Sequence, residues 1–501
     1  VDDQQAVFAA RDDNRRQAMN TASHVQPFLI GSTWTQGQGT PFESINPATG
    51  ESNGLFGNAT AADVDHAVKR AKAAQAEPAW RRLHAHQRAA LLRRIGDAIE
   101  ADAENLAQLQ MRQNGKLLKE CREQAAGGAA AYRYFAAICE TMPGEVAPSR
   151  GEHLALVTYE PYGVVAAITP WNSPLTLESQ KVAAAIAAGN AVVLKPSEFT
   201  PSIALRVGEL ALEAGLPPGI LNVVTGLGAE TGGALVAHPD VRMISFTGGT
   251  ATGKAIARAA AGRMVATALE LGGKSPHIVF ADADFEKAID GVLHGIFSSS
   301  GQSCIAGSRL FVEQGIFDRF VAELKRKAAA LRVGPPTDPQ SQFAPLSSFM
   351  HRDKVESLVQ MAREDGGEII LGGSRPADPA LAKGAYFLPT IVVGLPNTAR
   401  LCQQEVFGPV LCAMPFANEA DLIEQANQTD FGLAAGVWTG DFAKAWRVAR
   451  SIEAGTVWLN TYKQLSVSVP FGGFKESGSG REKGFYGIRT YQEPKTVMIG
   501  L

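Results

Sequence analysis

At 501 residues, with 47 basic against 50 acidic side chains and a formal net charge of −3, the chain exceeds what one core usually supports, so two or three substructures are expected. The two signs are mixed along the sequence, which excludes a basic field for nucleic acid or anionic lipid and leaves small neutral or anionic metabolites open. Five cysteines (Cys121, Cys139, Cys304, Cys402, Cys412), odd in number and without CxxC spacing, argue against a disulfide framework or a thiolate zinc site; a reducing, cytoplasmic setting without a metal is expected.

Residues 1–18 are charged and lack an apolar core, so they do not read as a secretory signal; Met19 is a candidate start, and residues 1–19 are expected to form a flexible extension. No apolar run is long enough to span a bilayer, since even Val182 to Leu194 is broken by Gly189 and Asn190. From Ala61 to about Ile138, alanine-rich sequence with periodic Leu, Ile and charge predicts several amphipathic helices. His84 and His86 lie there at i, i+2, which places them on different sides of a helix and favours solvent over a metal pair.

From Tyr162 the pattern changes to β-branched runs alternating with helices. Strands are predicted at Gly163–Ile168, Ala191–Leu194, Leu221–Val224 and Val241–Phe246, with helices at Lys181–Ala188 and Ala204–Ala214. That alternation is the signature of a doubly wound parallel sheet. A second α/β lobe follows, with strands at Pro276–Phe280, Arg309–Val312, Val410–Met414, Ala435–Trp438 and Gly455–Leu459, and helices at Phe285–Phe297, Ile316–Leu331 and Glu419–Asn427. The Gly366–Gly373 stretch reads as a glycine-rich turn. Tyr491–Ile499 reads as a strand too exposed at a chain end to stand alone.

Three stretches carry chemistry. Cys304 closes the small-residue run from Phe297 through Gly301-Gln302-Ser303, a poor setting for a buried core thiol, and Glu270 precedes Leu271-Gly272-Gly273-Lys274 upstream. A thiol can attack an electrophilic carbon and leave again, while a carboxylate nearby can take a proton from the thiol or from water. Ile244-Ser245-Phe246-Thr247-Gly248-Gly249-Thr250 ends an apolar run with glycines that open a helix, which suits a pyrophosphate or an ordinary tight turn. Glu198, in Lys195-Pro196-Ser197-Glu198 after a strand, can accept hydrogen bonds from a ribose diol and would repel a 2′-phosphate, favouring NAD over NADP.

These blocks, with Asn46-Pro47-Ala48-Thr49-Gly50, Pro170-Trp171-Asn172, Glu405-Val406-Phe407-Gly408-Pro409 and Pro470-Phe471-Gly472-Gly473-Phe474-Lys475, together resemble the aldehyde dehydrogenase superfamily, in particular its NAD(P)-dependent, aldehyde-oxidising members. The likeness runs in order from about residue 27 to the C-terminus. It implies two doubly wound α/β lobes and a β oligomerisation arm: nucleotide binding at 20–140 and 160–272, catalysis at 273–470, and the arm at 141–159 and 485–501. It also implies a homodimer or homotetramer, with the Leu154–Glu160 segment and the C-terminal strand forming the arm.

The resemblance further implies Cys304 as nucleophile, Glu270 as general base, Asn172 as an oxyanion donor with the Cys304 backbone N–H, and Lys181 and Glu482 as a proton relay. Cofactor contacts are implied for Ile168, Thr169, Pro170 and Trp171, for Lys195, Ser197, Glu198 and Gly228, for Phe246, Thr247, Gly248 and Gly249, and for Leu271, Gly272, Glu405 and Phe407. The common FTGS turn is FTGG here, which leaves phosphate approach intact but removes one hydroxyl. Glu270 argues against a CoA-acylating relative, which commonly lacks the base, and the intact Cys304, Glu270 and Asn172 argue against a non-catalytic one.

Loop alignment places Ser173, Leu177, Gln180, Ser303, Ile305, Leu465 and Phe471 around the substrate. Ser173 and Gln180 stand where simple aliphatic or retinal-type members are often aromatic, so a wider, partly polar tunnel for a hydroxylated or otherwise substituted aldehyde is expected. No arginine pair is placed to hold a substrate carboxylate, and semialdehyde acids are not favoured.

Overall fold

The structure, a computed structural model, describes residues 25–501; the expected extension at 1–19 lies outside them. Five short apolar strands build the first sheet: Val164–Ile168, Ala191–Lys195, Leu221–Val223, Met243–Thr247 and Ala266–Glu270. Their side chains are largely buried on both faces, as a parallel sheet covered by helices on each side requires. All neighbours among the five are parallel, and numbered by appearance they lie in the order 5-4-1-2-3. The order reverses between Val164–Ile168 and Met243–Thr247, so a crevice opens beyond their C-terminal ends, where ligands of such sheets bind.

Antiparallel strands close both edges of this sheet. Phe28–Ile30 and Thr33–Thr35 form one edge, while Gly478–Ser479, from the far end of the chain, forms the other. The pairing Glu270↔Gly478 brings the 470s beside Glu270, a neighbourhood that no local pattern announces. The helix expected from Lys181 already starts at Pro174, and its neighbour starts at Pro201, because proline at the first helical position needs no N–H partner. The helix Leu118–Thr141 lies close against Pro174–Ala187; a Cβ built on Gly128 would stand 3.0 Å from Ser179 Oγ.

The second sheet has seven strands. Six run parallel, Pro276–Val279, Arg309–Glu313, Thr390–Val393, Val410–Phe416, Ala434–Trp438 and Thr456–Leu459, in the order 3-4-2-1-5-6. Glu368–Leu371 adds an antiparallel edge, which corrects the reading of that stretch as a turn: glycines at its flanks bound a four-residue strand. The helix Phe349–Glu364 was likewise not anticipated.

Gln492–Gly500 pairs along its whole length with His153–Pro161, and Glu145–Ala147 adds a third strand. Val497, Met498 and Ile499 remain exposed. His84 and His86 do not diverge as expected: His84 is the N-cap of the helix Ala85–Ala101, so its ring leaves the helical register and stacks on His86 with centroids 5.8 Å apart. Among the described residues no group of three or more His, Cys, Asp or Glu is arranged to hold a metal, and no helix is long and apolar enough to cross a membrane.

Candidate active site

The helix Phe285–Phe297 ends in a turn whose geometry sets the position of Cys304. Ser299, Ser300 and Gly301 all adopt left-handed backbone, with φ of 54°, 55° and 71°. Such conformations persist for non-glycine residues only where surroundings hold them. Here Ser299 N and Oγ both donate to Glu120 Oε1, at 2.8 and 3.2 Å, and Ser300 Oγ donates to Ala344 O at 2.7 Å. Gly301 admits no side chain, since a Cβ would lie 2.2 Å from Gly408 O. Gly301→Ala is therefore expected to lower stability by about 2 kcal/mol or more and to displace the thiol, read as a lower Tm together with lost thiol labelling at Cys304.

Cys304 itself is partly exposed, unlike the four other cysteines, which are buried. Burial of the sulfur, then the nearby carboxylates Glu405 and Glu270, push its thiol up to about 12, against the pull of Lys483 and Lys463. The resting group is thus a thiol that has to give up its proton as it attacks. Asn172 is buried, and its Nδ2 donates to Gln302 O at 3.1 Å across 130 residues of sequence. An amide nitrogen carries two hydrogens, so one remains for an oxygen beside Cys304. Asn114 Nδ2 donates to Trp171 O at 3.2 Å and anchors the same segment from behind.

Glu270 ends the strand Ala266–Glu270 with both carboxylate oxygens buried and without a hydrogen-bond partner in the protein. A Cβ built on the following Gly273 would lie 2.4 Å from the Cys304 carbonyl, so the two motif segments pack backbone to backbone. Burial, and after it the charge of Glu482, raise the Glu270 carboxyl well above the ordinary range, with Lys181, Arg481 and Lys483 acting in the opposite sense. Lys181 and Glu482 meet as a buried ion pair. Lys181 Nζ also donates to Ser245 Oγ at 3.0 Å, and Ser245 Oγ is 2.9 Å from the Tyr491 hydroxyl. Lys181→Met leaves Glu482 as an uncompensated buried charge and is expected to cost about 3–5 kcal/mol, with much of it recovered in the Lys181→Met/Glu482→Gln double variant, as measured by chemical denaturation.

The crevice at the first sheet's switch point gathers most of the residues expected to meet a cofactor. Ile168 ends its strand, and Thr169 Oγ1 donates to the buried Glu178 at 3.4 Å; burial pushes that carboxyl up to about 8. The Trp171 ring meets Phe407 edge-on at 5.3 Å and His351 at 5.2 Å, and Phe407 sits at φ 57° with its carbonyl 2.7 Å from His351 Nε2. Gly248 N donates to Glu270 O at 3.0 Å, and its Cβ would strike the Phe246 ring at 2.5 Å. Gly249 caps the helix Thr250–Ala261, and nothing in the protein lies within 4 Å of a Cβ built there or on Gly228.

Leu271 N donates to Ser477 O at 2.9 Å, holding the glycine pair in place. A Cβ on Gly272 would strike Glu405 Oε2 at 2.4 Å, and Gly273 N donates to Glu405 Oε1 at 3.0 Å. Burial raises that carboxyl to about 7. On the far side of the crevice Lys195 Nζ donates to Pro196 O at 3.0 Å and to Glu198 at 3.4 Å, Ser197 Oγ accepts from Phe199 N at 3.3 Å, and Gly232 of the turn begun at Gly228 approaches the Lys195 stem. The Thr247 hydroxyl is buried with no partner in the protein. Parallel-sheet crevice, glycine-lined helix start and acceptor carboxylates together fit a dinucleotide.

The surroundings of the residues expected to line the substrate pocket are more polar than the sequence suggests. Ser173 caps the helix Pro174–Ala187, and its hydroxyl accepts from Gln124 Nε2 at 3.1 Å and Lys116 Nζ at 3.5 Å. Leu177 and Gln180 lie on that helix, Gln180 buried with an unpartnered Oε1, while Ser303 and Ile305 flank Cys304. Leu465 is largely exposed and is joined to the site through its loop, whose Tyr462 hydroxyl donates to Ile305 O at 3.0 Å. Phe471 carries the Lys483 ammonium over its ring at 4.6 Å. Lys116, Gln124, Glu178, Lys463 and Lys483 escaped the sequence reading. Each lies in an ordinary helix or loop, and only folding turns it inward.

The sequence profile described as "Aldehyde dehydrogenase family" matches residues 34–497. Among curated proteins, the chain is 43% identical to the (Z)-2-((N-methylformamido)methylene)-5-hydroxybutyrolactone dehydrogenase of Acinetobacter baylyi, over 91% of this chain and 93% of that protein. It is 41% identical to the betaine aldehyde dehydrogenase of Bacillus subtilis, over 94% and 97%. Among solved structures, the NAD+ complex of an aldehyde dehydrogenase from Bacillus cereus superposes with a TM-score of 0.94 at 36% identity, over 97% of this chain and 98% of that one.

Proposed function

The chain belongs to the aldehyde dehydrogenase family, and from that premise we propose that Cys304, Glu270 and Asn172 are its catalytic residues in the NAD-dependent oxidation of an aldehyde to a carboxylic acid. The observation that carries the assignment is the buried, unpartnered Glu270 carboxylate on a segment packed against the Cys304 backbone. The Cys304 sulfur bonds to the aldehyde carbon as its proton passes to Glu270. The carbonyl oxygen becomes an oxyanion that receives hydrogen bonds from Asn172 Nδ2 and the Cys304 backbone N–H, typically about 3 kcal/mol for each donor. When bound, NAD accepts the hydride that the carbon loses in passing from this adduct to the Cys304 thioester.

Glu270 releases that proton to solvent and then takes another from water as the water oxygen attacks the thioester carbon. The carbon–sulfur bond breaks, the acid leaves, and the thiol regains its proton. Lys181 and Glu482 connect Glu270 electrostatically to a buried polar chain through Ser245 and Tyr491, which supports a relay role. Gly248 and Gly249 would hold the diphosphate, Lys195 and Glu198 one ribose, and Glu405 the other. Oxidation of aldehydes followed by NADH absorbance, in parallel with NADP and without CoA, tests the reading. Free acid formed with NAD supports it; a requirement for CoA, or no turnover across polar and alkyl aldehydes, overturns it.

The substrate proposed is a substituted, polar aldehyde, supported by Ser173 and Gln180, which stand where related members are often aromatic, and by Gln124, which donates to the Ser173 hydroxyl. A cytoplasmic location and a homodimer or homotetramer complete the proposal, the latter supported by the exposed C-terminal strand Gln492–Gly500.

A further inference from the structure

Lys463 is a cation at the active site that the mechanism does not use. It lies in the loop after the strand Thr456–Leu459, held at φ 56° between Tyr462, whose hydroxyl is bound to Ile305 O, and Gln464, whose carbonyl accepts from Trp458 Nε1 at 2.9 Å. Its Nζ donates to Ser298 Oγ at 2.8 Å, and Ser298 Oγ donates in turn to His294 O at 2.7 Å. Lys463 makes no ion pair with any described residue, yet its charge is felt at the Cys304 sulfur.

The groups around Lys463 leave its ammonium without a direct counter-ion. Glu120 attracts it: one oxygen of that carboxylate is occupied by Ser299 N and Oγ, and the other is buried without a hydrogen-bond partner. Lys116, buried in the short segment before the helix Leu118–Thr141, opposes it, with Nζ directed at Ser173 Oγ. Two ammonium groups and the carboxylates of Glu120 and Glu123 thus share this neighbourhood with hydroxyls and an amide from Ser173, Ser298 and Gln124, and among the described residues neither ammonium is paired with a carboxylate. Burial pulls the Lys463 ammonium down to about 7, the mark of a cation short of counter-charge. A partly buried cation without a counter-charge costs free energy unless an anion arrives with the ligand.

We propose that the aldehyde oxidised at Cys304 carries a carboxylate at its other end, received by Lys463 and Ser298, so that the substrate class is the semialdehydes of dicarboxylic acids. This rests on the proposed oxidation at Cys304 and reverses the expectation drawn from the missing arginine pair. The cations here are lysines that reach the site from the Lys116 segment and from the loop at Lys463, far apart in sequence.

The test compares kcat/KM for succinic and glutaric semialdehyde with that for their methyl esters and for butanal and pentanal, by NADH formation with the full chain. The wild type is expected to prefer each acid over its ester at least tenfold. Lys463→Met should cut the acid-to-ester ratio on the order of 30-fold, Lys463→Glu should favour the ester, and Lys463→Arg should keep the preference for the acid. An acid-to-ester ratio near one in the wild type, or an unchanged ratio in Lys463→Met, overturns the inference while oxidation of the esters leaves the proposed reaction standing. Should Lys463→Met not fold, Lys463→Arg and the wild-type ratio still decide. If neither acids, esters nor alkanals are oxidised, the reaction assignment fails as well.

Discussion

Replacing Cys304 with alanine is expected to take NADH formation to background, a fall on the order of 10⁴-fold or more, while NAD binding persists. The remaining cysteines cannot substitute. Burial pushes the Cys121 thiol up to about 12, as it does that of Cys304, so acidity does not separate them. What separates them is position. Cys304 is partly exposed and has the Asn172 amide close at hand, whereas Cys121 is buried beside Ala107 and Met111. Cys304→Ser should be equally inactive, because a hydroxyl is a weaker nucleophile and its ester lacks the reactivity of a thioester. Removal of Sγ from a loop held by Glu120 and Ala344 leaves the crevice at the other sheet intact, so calorimetric titration with NAD should give a similar Kd. Undiminished turnover in Cys304→Ala would remove the thiol from the reaction.

Glu270→Gln is expected to uncouple the two halves of the cycle. The amide cannot take a proton from water, and loss of a general base slows a step by about 10²–10⁴-fold. If the proton on the thiol can still reach solvent, an initial burst of NADH should appear, followed by a slow steady rate, with the acyl group detectable on Cys304 by mass spectrometry. The pH dependence follows from the direction of the Glu270 shift. Burial and the neighbouring Glu482 raise its carboxyl, so the proton-accepting form is scarce below the raised value and grows as pH rises through it. In the wild type kcat should therefore climb with pH above the usual carboxylate range, and in Glu270→Gln that climb should flatten. A mutant with wild-type steady-state rates at every pH would take Glu270 out of the mechanism.

Local and long-range features of the fold divide along a physical line. Helices Phe285–Phe297 and Glu419–Asn427 were legible to the residue, because apolar periodicity and the caps at Asp284 and Asn418 are local. Nine of the parallel strands were legible within a residue or two, since burial on both faces demands continuous β-branched runs, whereas Ala266–Glu270 and Thr390–Val393 were missed. The strand Glu368–Leu371 was hidden by its flanking glycines, and the two-residue edge Gly478–Ser479 is too short to leave any pattern. The stacking of His84 on His86 depended on where one helix begins.

The residues named for the site stand in ordered motifs, and those motifs survive as text. Lys116, Glu120, Gln124, Lys463 and Lys483 stand in none, and their side chains became part of one polar neighbourhood only when the helix from Leu118, the turn at Ser299 and the loop at Tyr462 came together. By itself, then, the order of residues determined two wound α/β lobes, a thiol and a carboxylate suited to covalent chemistry, and a glycine-lined crevice. Tertiary structure alone decided which charges face the sulfur and which lack partners, because solvent exclusion and electrostatic balance depend on through-space distance, which a linear sequence does not record.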